Sequence, residues 1–224
     1  MGSTRSLRES IFRDTKKWYA EAKASVASEK LINFCQQYAG ESILDLGCAT
    51  GDYCLELGRL GFKCVGVDVN EEYIRIAKEK GVNAYVVKEQ LPFEDKSFDT
   101  VIIFEVLEHV QSPGRLLGEA KRVAKKNILI TVPNCGDIEA LRDYGLTYEH
   151  FLETDHMNFF TKRNLEDLLR EYFRKFEVEE EEPIFLGAVG LPLWLKYPVY
   201  LGYKSGLIKS SFYSRLYAWA EIEE

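Results

Sequence analysis

From Ser42 to Val132 the chain alternates short apolar runs with amphipathic stretches, and this alternation constrains the fold more than any other feature. Ile43–Leu46, Lys63–Val69, Asn83–Val87, Thr100–Phe104 and Ile128–Val132 read as strands, and Asp52–Arg59, Glu71–Lys80 and Pro113–Lys125 as helices between them. Strands that are apolar at nearly every position, rather than every second one, belong to parallel sheets covered on both faces. Each strand–helix–strand unit then crosses over right-handedly. The expected fold is an open, doubly wound α/β domain with a mainly parallel sheet.

The flanks have a different texture. Residues 5–39 read as helix in two pieces, with Gly40 where such a helix ends. After Pro133 a long connection runs to Thr161, the kind of loop that usually carries function. A helix with Leu165, Leu168 and Leu169 on one face follows, then an edge strand, Arg174–Glu182, whose Glu179–Glu182 run reads as a solvated edge. Pro183–Ala220 has nine aromatic residues, four basic ones (Lys196, Lys204, Lys209, Arg215) and no acid. The expected organisation is an N-terminal helical cap at 1–40, the α/β domain at 41–182, and a C-terminal lid or interface segment at 183–224.

Charge and cysteine usage exclude some classes. Lys and Arg total 29 and Asp and Glu 36, a net charge of 29 − 36 = −7, which argues against nucleic acid as a partner. Cys35, Cys48, Cys54, Cys64 and Cys135 are odd in number and include no C-x-x-C pair, so reduced thiols in a cytoplasmic protein are the simplest reading. Charges are spread through the first 18 residues, which leaves no apolar signal segment there. The longest uncharged stretch, Pro183–Leu195, has 13 residues and is too short to span a bilayer.

The chemistry gathers at strand ends. The first strand runs into Asp45-Leu46-Gly47-Cys48-Ala49-Thr50-Gly51, where glycines at 47 and 51 allow a tight turn and close backbone approach by a ligand. A plain strand–helix connection has the same look. The turn spells G-x-A-x-G, which fits neither the G-x-G-x-x-G of dinucleotide sites nor a P-loop. The second strand ends in Asp68, about 20 residues after the turn begins, where a carboxylate can accept from both hydroxyls of a ribose. Two acids flanking such a turn point to a nucleoside-type ligand at the carboxyl edge of the sheet.

This turn, with Asp68 in the place of the ribose-binding acid, resembles the first motif of class I S-adenosylmethionine-dependent methyltransferases. Leu91-Pro92-Phe93 with Ser97-Phe98-Asp99 is similar to their adenine-side loop and fourth-strand entry. Glu105-Val106-Leu107-Glu108-His109-Val110 resembles the segment after the fourth strand in the small-molecule branch. Thr131-Val132-Pro133-Asn134 and His156-Met157-Asn158-Phe159-Phe160-Thr161 are similar to a subgroup often linked to cell-surface glycan and secondary-metabolite pathways. The resemblance covers 42–180 and implies a Rossmann-like methyltransferase fold binding S-adenosyl-L-methionine, with S-adenosyl-L-homocysteine as product. It implies cofactor contacts from Asp45, Gly47, Cys48, Ala49, Gly51, Asp68, Val69, Glu89, Gln90, Leu91, Phe104 and Glu105. Three departures stand out: Ala49 replaces a glycine, Val87 stands where many relatives have an adenine-binding Asp, and after Glu182 the resemblance to a final hairpin strand is absent. Glu89, or backbone of Gln90 and Leu91, would have to serve the adenine in place of Val87.

The resemblance implies methyl transfer to a small-molecule or lipid- or glycan-linked acceptor, oxygen preferred. His109 and His156 are the candidate general bases, each alternatively a packing residue, and His150 reads as surface. Glu105-x-x-Glu108-His109 also resembles a metal-binding segment proposed for ubiquinone-pathway O-methyltransferases, but the same letters occur widely without metal, and no metal site is assigned. The N-terminal helices and the 135–161 loop are expected to form the acceptor site. For 183–220 three readings stand: packing lid, peripheral membrane contact through Trp194, Tyr197, Tyr200 and Tyr203, and homodimer interface. Competing functions are a methyltransferase acting on protein or RNA, and a non-catalytic module that keeps the fold to dock a partner or membrane.

Overall fold

The computed structural model describes residues 27–87, 90–136, 156–184, 191–210 and 212–223. Its strands are β1 (Ser42–Leu46), β2 (Lys63–Asp68), β3 (Ala84–Val86), β4 (Phe98–Phe104), β5 (Ala124–Pro133), β6 (Phe176–Ile184) and β7 (Phe212–Glu221). Its helices are α1 (Glu29–Tyr38), α2 (Asp52–Arg59), α3 (Glu71–Glu79), α4 (Pro113–Val123), α5 (Lys162–Tyr172) and α6 (Leu193–Lys204). The strands form one seven-stranded sheet in the order β3-β2-β1-β4-β5-β7-β6. The first five pair in parallel, and β7 lies antiparallel to both β5 and β6.

The continuous apolar strands are explained by cover on both faces. Along β4, Val101 and Ile103 face the cluster formed with α4 and α5 through Leu117, Ala120, Leu165 and Leu169. Ile102 and Phe104, on the other face, pack with Leu31 and Cys35 of α1 and Leu57 of α2. Helix α3 packs at the β3 edge through Ile74 and Ala77. The α1–β1 connection is tied down by polar contacts: Gly40 N donates to Thr100 Oγ1 (2.9 Å), and Asn127 Nδ2 donates to Tyr38 O (2.7 Å). Helix α1 is therefore part of the sheet's cover. Residues 1–26, including the remainder of the expected N-terminal helices, lie outside the described residues.

One expectation needs correction. The stretch after Glu182 does supply the final strand: β7 inserts between β5 and β6, with Leu216, Ala218 and Ala220 on the α4–α5 face and Tyr217 on the α1 face. Two features hide it in the sequence. Alanines fill its inward positions with little strand propensity, and the residues between Ile184 and Phe212 replace the tight turn that would mark a hairpin. The strand Arg174–Glu182 is an edge strand as expected, running from Phe176 to Ile184.

Candidate functional site

The turn after β1 is built from left-handed backbone. Gly47, Ala49 and Gly51 have φ of 88°, 44° and 78°. Gly47 N and Cys48 N both donate to Val67 O, at 2.8 and 3.0 Å, which holds the turn against the end of β2. On the Cβ side of Gly47 the space is filled by Val106, 2.4 Å from where a Cβ would stand, and beside Gly51 by Val82 and Ala77. Both glycines are thus required by the chain's own packing, in addition to any close ligand approach. Cys48 is buried, its Sγ against Gly66 of β2, so only its backbone faces the turn's open side. Ala49 holds a conformation in which a Cβ costs about 1–2 kcal/mol.

That turn positions Asp68. Its Oδ2 accepts from Ala49 N (2.9 Å) and its Oδ1 from Asn70 N (2.8 Å). A carboxylate has about four lone-pair sites, so two directions remain for a pair of ligand hydroxyls. Val69 beside it is exposed. Asp45 lies deeper, 2% exposed, with Cys54 Sγ donating to its Oδ2 at 3.6 Å. Burial, partly offset by that hydrogen bond and reinforced by the Asp68 charge, pushes its carboxyl up to about 7. A carboxyl poised there ionises readily when a cation arrives.

On the adenine side, Glu89 lies outside the described residues, as does Lys88. Gln90 is exposed, while Leu91 is nearly buried and its N–H donates to Glu119 Oε2 (3.2 Å). Leu91 therefore offers an apolar side chain rather than a backbone donor. Arg122 fixes this loop by donating to Leu91 O (3.1 Å), Phe93 O (2.7 Å) and Asp95 (3.0 Å). Sequence reasoning passed over Arg122 and Glu119, which looked like an ordinary i,i+3 surface pair on α4.

Past β4, Phe104 packs edge-on against Tyr53, their centroids 5.4 Å apart. Burial raises the Tyr53 phenol to about 12. Glu105 then takes φ 54° and turns its Oε2 to Arg215 Nε at 3.1 Å. Glu182 also has positive φ, 57°, and its Oε2 accepts from Arg215 Nη1 at 2.6 Å. Burial would raise Glu182, but the Arg215 hydrogen bond and charge, with Tyr217 OH, outweigh it and hold the carboxyl below its ordinary range. Two strained acids converging on one guanidinium mark a site kept in shape at a cost. The other oxygen of Glu105, Oε1, is buried with no hydrogen-bond partner among the described residues. Such an atom suits a positively charged ligand group. No sequence signal singled out Arg215 or Glu182 for this role.

The two candidate bases meet. His109 ends a 3₁₀ turn, Leu107–His109, and His156 begins a segment that docks on it. Met157 N and Asn158 N donate to Glu108 O (2.7 and 2.9 Å), and Asn158 Nδ2 to Leu107 O (2.9 Å) and Val110 O (2.7 Å). The imidazole rings then sit 4.7 Å apart in an edge-to-face pair. Glu108, His109 and His156 each offer one ligand atom within 4.8 Å of the others, a donor set suited to a transition ion. Glu105, which the sequence segment grouped with Glu108 and His109, is turned away to Arg215. His150 and 137–155 of the expected acceptor loop lie outside the described residues.

A family model described as a methyltransferase domain matches residues 19–173. A ubiquinone biosynthesis O-methyltransferase of Hahella chejuensis is 33% identical over an alignment covering 38% of this chain and 40% of that one. A demethylmenaquinone methyltransferase of Tropheryma whipplei is 32% identical, with 39% and 38% covered. The chain thus spans about two fifths of the length of these curated relatives. The crystal structure of an S-adenosylmethionine-dependent methyltransferase from Archaeoglobus fulgidus superposes with a TM-score of 0.65 at 19% identity, covering 92% of this chain and 99% of that one. The chain belongs to the methyltransferase-domain family, and its sheet is the Rossmann-like fold of S-adenosylmethionine-dependent methyltransferases.

Proposed function

We propose that this protein is an S-adenosylmethionine-dependent methyltransferase that acts on an oxygen of a small-molecule or lipid- or glycan-linked acceptor. The observation that carries this is the meeting of His109 and His156, their rings 4.7 Å apart, on the same sheet edge as the Asp45–Asp68 turn. Family membership and the quinone-pathway relatives support the reaction class. When bound, S-adenosylmethionine supplies an activated sulfonium methyl for in-line displacement. The chain's work is then alignment and proton removal.

Asp68, held by Ala49 N and Asn70 N, grips the ribose hydroxyls. Asp45 and the unpartnered Glu105 Oε1 present negative charge towards the cationic methionyl end. Phe104 and Tyr53 exclude water beside it. Either imidazole of the pair accepts the acceptor's hydroxyl proton at a ring nitrogen, a role worth about 10²–10⁴-fold in rate. A lipid-linked acceptor would be met at a bilayer, and 191–210, thrown out between β6 and β7, is the part of the chain suited to reach one.

The test begins with calorimetric titration of S-adenosylhomocysteine. Asp68→Ala should weaken binding by roughly 1.5–3 kcal/mol, ten- to a hundredfold. A panel of hydroxylated acceptors then tests turnover, with His109→Ala and His156→Ala expected to lower kcat and leave cofactor binding intact. Failure of the wild type to bind S-adenosylhomocysteine would overturn the reading, and binding without turnover of any acceptor would turn it towards the non-catalytic module.

A further inference from the structure

The chain leaves the sheet at Ile184 and re-enters it at Phe212, and these two residues are register partners between β6 and β7. Ser210 Oγ closes the neck with a 2.6 Å hydrogen bond to Ile184 O. Arg215 of β7 lies opposite Pro133 at the end of β5. The crossover is therefore thrown from the carboxyl ends of the parallel strands, the edge that carries Asp68, Glu105 and the histidine pair.

Its described part contains α6, of which no described residue is buried. Trp194 (74% exposed), Tyr197 (68%) and Leu201 follow i, i+3, i+7 along one face, and Leu207 (86%) and Ile208 extend the patch. Apolar surface of this kind, rimmed by polar groups, marks an interaction site.

The surrounding charge says what covers it. Residues 183–220 hold no Asp or Glu in a chain of net charge −7. Lys196, Lys204 and Lys209 are exposed, whereas Arg215 is already taken by Glu105 and Glu182. A second copy seated on this patch by a two-fold axis would bring the same lysines towards one another. An anionic bilayer matches both the lysines and the Trp and Tyr rings, whose apolar bodies and polar tips favour the headgroup level. At 12 residues α6 is about 18 Å long. That is well short of the ~30 Å hydrocarbon core, so the helix lies in the interface rather than across it.

We propose that residues 191–210 are a peripheral membrane anchor, seating Trp194, Tyr197, Leu201 and Leu207 among the headgroups of an anionic bilayer with Lys196, Lys204 and Lys209 on lipid phosphates. This seating turns the carboxyl edge of the sheet towards the membrane. The consequence for catalysis, that the acceptor arrives from the bilayer, rests on the methyltransferase reading, but the anchoring does not.

The test is co-sedimentation of the full chain with vesicles of phosphatidylcholine alone or mixed with phosphatidylglycerol. Wild type should bind the anionic vesicles with a blue shift of Trp fluorescence that Trp194→Ser removes. Replacing Lys196, Lys204 and Lys209 together by Gln should weaken binding on the order of a hundredfold, about fivefold per lysine. Trp194→Ser with Leu207→Ser should abolish it, with the melting temperature unchanged because both side chains are exposed. Anionic vesicles that leave the wild type in solution would overturn the proposal, as would variants that bind like wild type. A wild-type dimer lost in the Trp194→Ser, Leu207→Ser variant, with vesicles ignored, would assign the face to a second copy. S-adenosylhomocysteine binding, measured in parallel without vesicles, keeps failure of the anchor distinct from failure of the enzyme reading.

Discussion

Asp45 should make both stability and cofactor affinity depend on pH near neutrality. Burial lifts its carboxyl from 3.8 to about 7, with the Cys54 hydrogen bond opposing and the Asp68 charge assisting. Because the folded value lies above the unfolded one, the folded chain binds the extra proton between these limits, and stability falls as pH rises through them. With those two values the linkage relation gives a loss on the order of 2–3 kcal/mol between pH 5 and pH 8. For a chain of this length that corresponds to roughly 5–10 °C in melting temperature. Asp45→Asn removes the titration, so the melting difference between variant and wild type should widen in the variant's favour by that amount from pH 5 to pH 8. On the proposed role of Asp45, cofactor binding should have the opposite dependence, since a cationic methionyl end would need the ionised carboxylate. With a pKa of about 7, wild-type affinity for S-adenosylhomocysteine should fall about tenfold from pH 8 to pH 6, and the variant's should be weaker and flat. Cys54→Ala removes a hydrogen bond that lowers the pKa and should move both midpoints upward. Thermal melts and calorimetry across pH 5–8 decide the matter: a constant melting difference, or wild-type affinity that rises on acidification, would refute the assignment of Asp45.

Three further outcomes follow from the same geometry. Ala49→Gly relieves a left-handed alanine (φ 44°) worth about 1–2 kcal/mol, offset by about 0.4–1 kcal/mol of unfolded-chain entropy; denaturant unfolding should show a gain of up to about 1.6 kcal/mol, and a clear loss would count against strain at this turn. Asn158→Ala removes the two hydrogen bonds that seat the His156 segment on the 3₁₀ turn, so kcat should drop at least tenfold with S-adenosylhomocysteine affinity unchanged, whereas equal loss of both would mean a general structural role. Arg215→Met leaves Glu105 and Glu182 facing each other and should cost about 2 kcal/mol at pH 7, less than the 3–5 typical of a fully buried pair because the group is about a third exposed. Glu182 is held below its ordinary 4.5, so the stability it contributes is present above that value and lost as pH falls through the folded pKa; the variant should show a shallower acid limb in a pH-dependent melt.

What could be read from the sequence separates from what could not along a physical line. Strands β1 and β4 are buried on both faces, and that burial writes itself as a nearly unbroken apolar run. The turn after β1 was visible because left-handed backbone demands glycine at 47 and 51, although the structure adds that Val106 and Val82 need the missing side chains as much as a ligand would. Strand β7 was invisible because its inward positions are alanines and its partner strand lies across a long crossover. The Glu105–Arg215–Glu182 set is hidden for a related reason: Glu105 follows β4, Glu182 on β6 comes 77 residues later and Arg215 on β7 a further 33, so no local period joins them.

The same division bears on function. The proposed cofactor motifs sit at strand ends because the parallel strands deliver their carboxyl ends to one edge. The antiparallel end of the sheet adds Arg215 from β7, Glu182 from β6 and the α6 crossover between them to that edge. These elements lie beyond residue 173, where the family match stops. A shared catalytic sheet with an independently built C-terminal edge is how one fold can serve different acceptors. Varying Arg215 and α6, with the Asp68 turn left intact as the internal control, tests whether these elements select the acceptor: a change in acceptor preference with unchanged S-adenosylhomocysteine binding is the expected outcome, and unchanged preference would refute it.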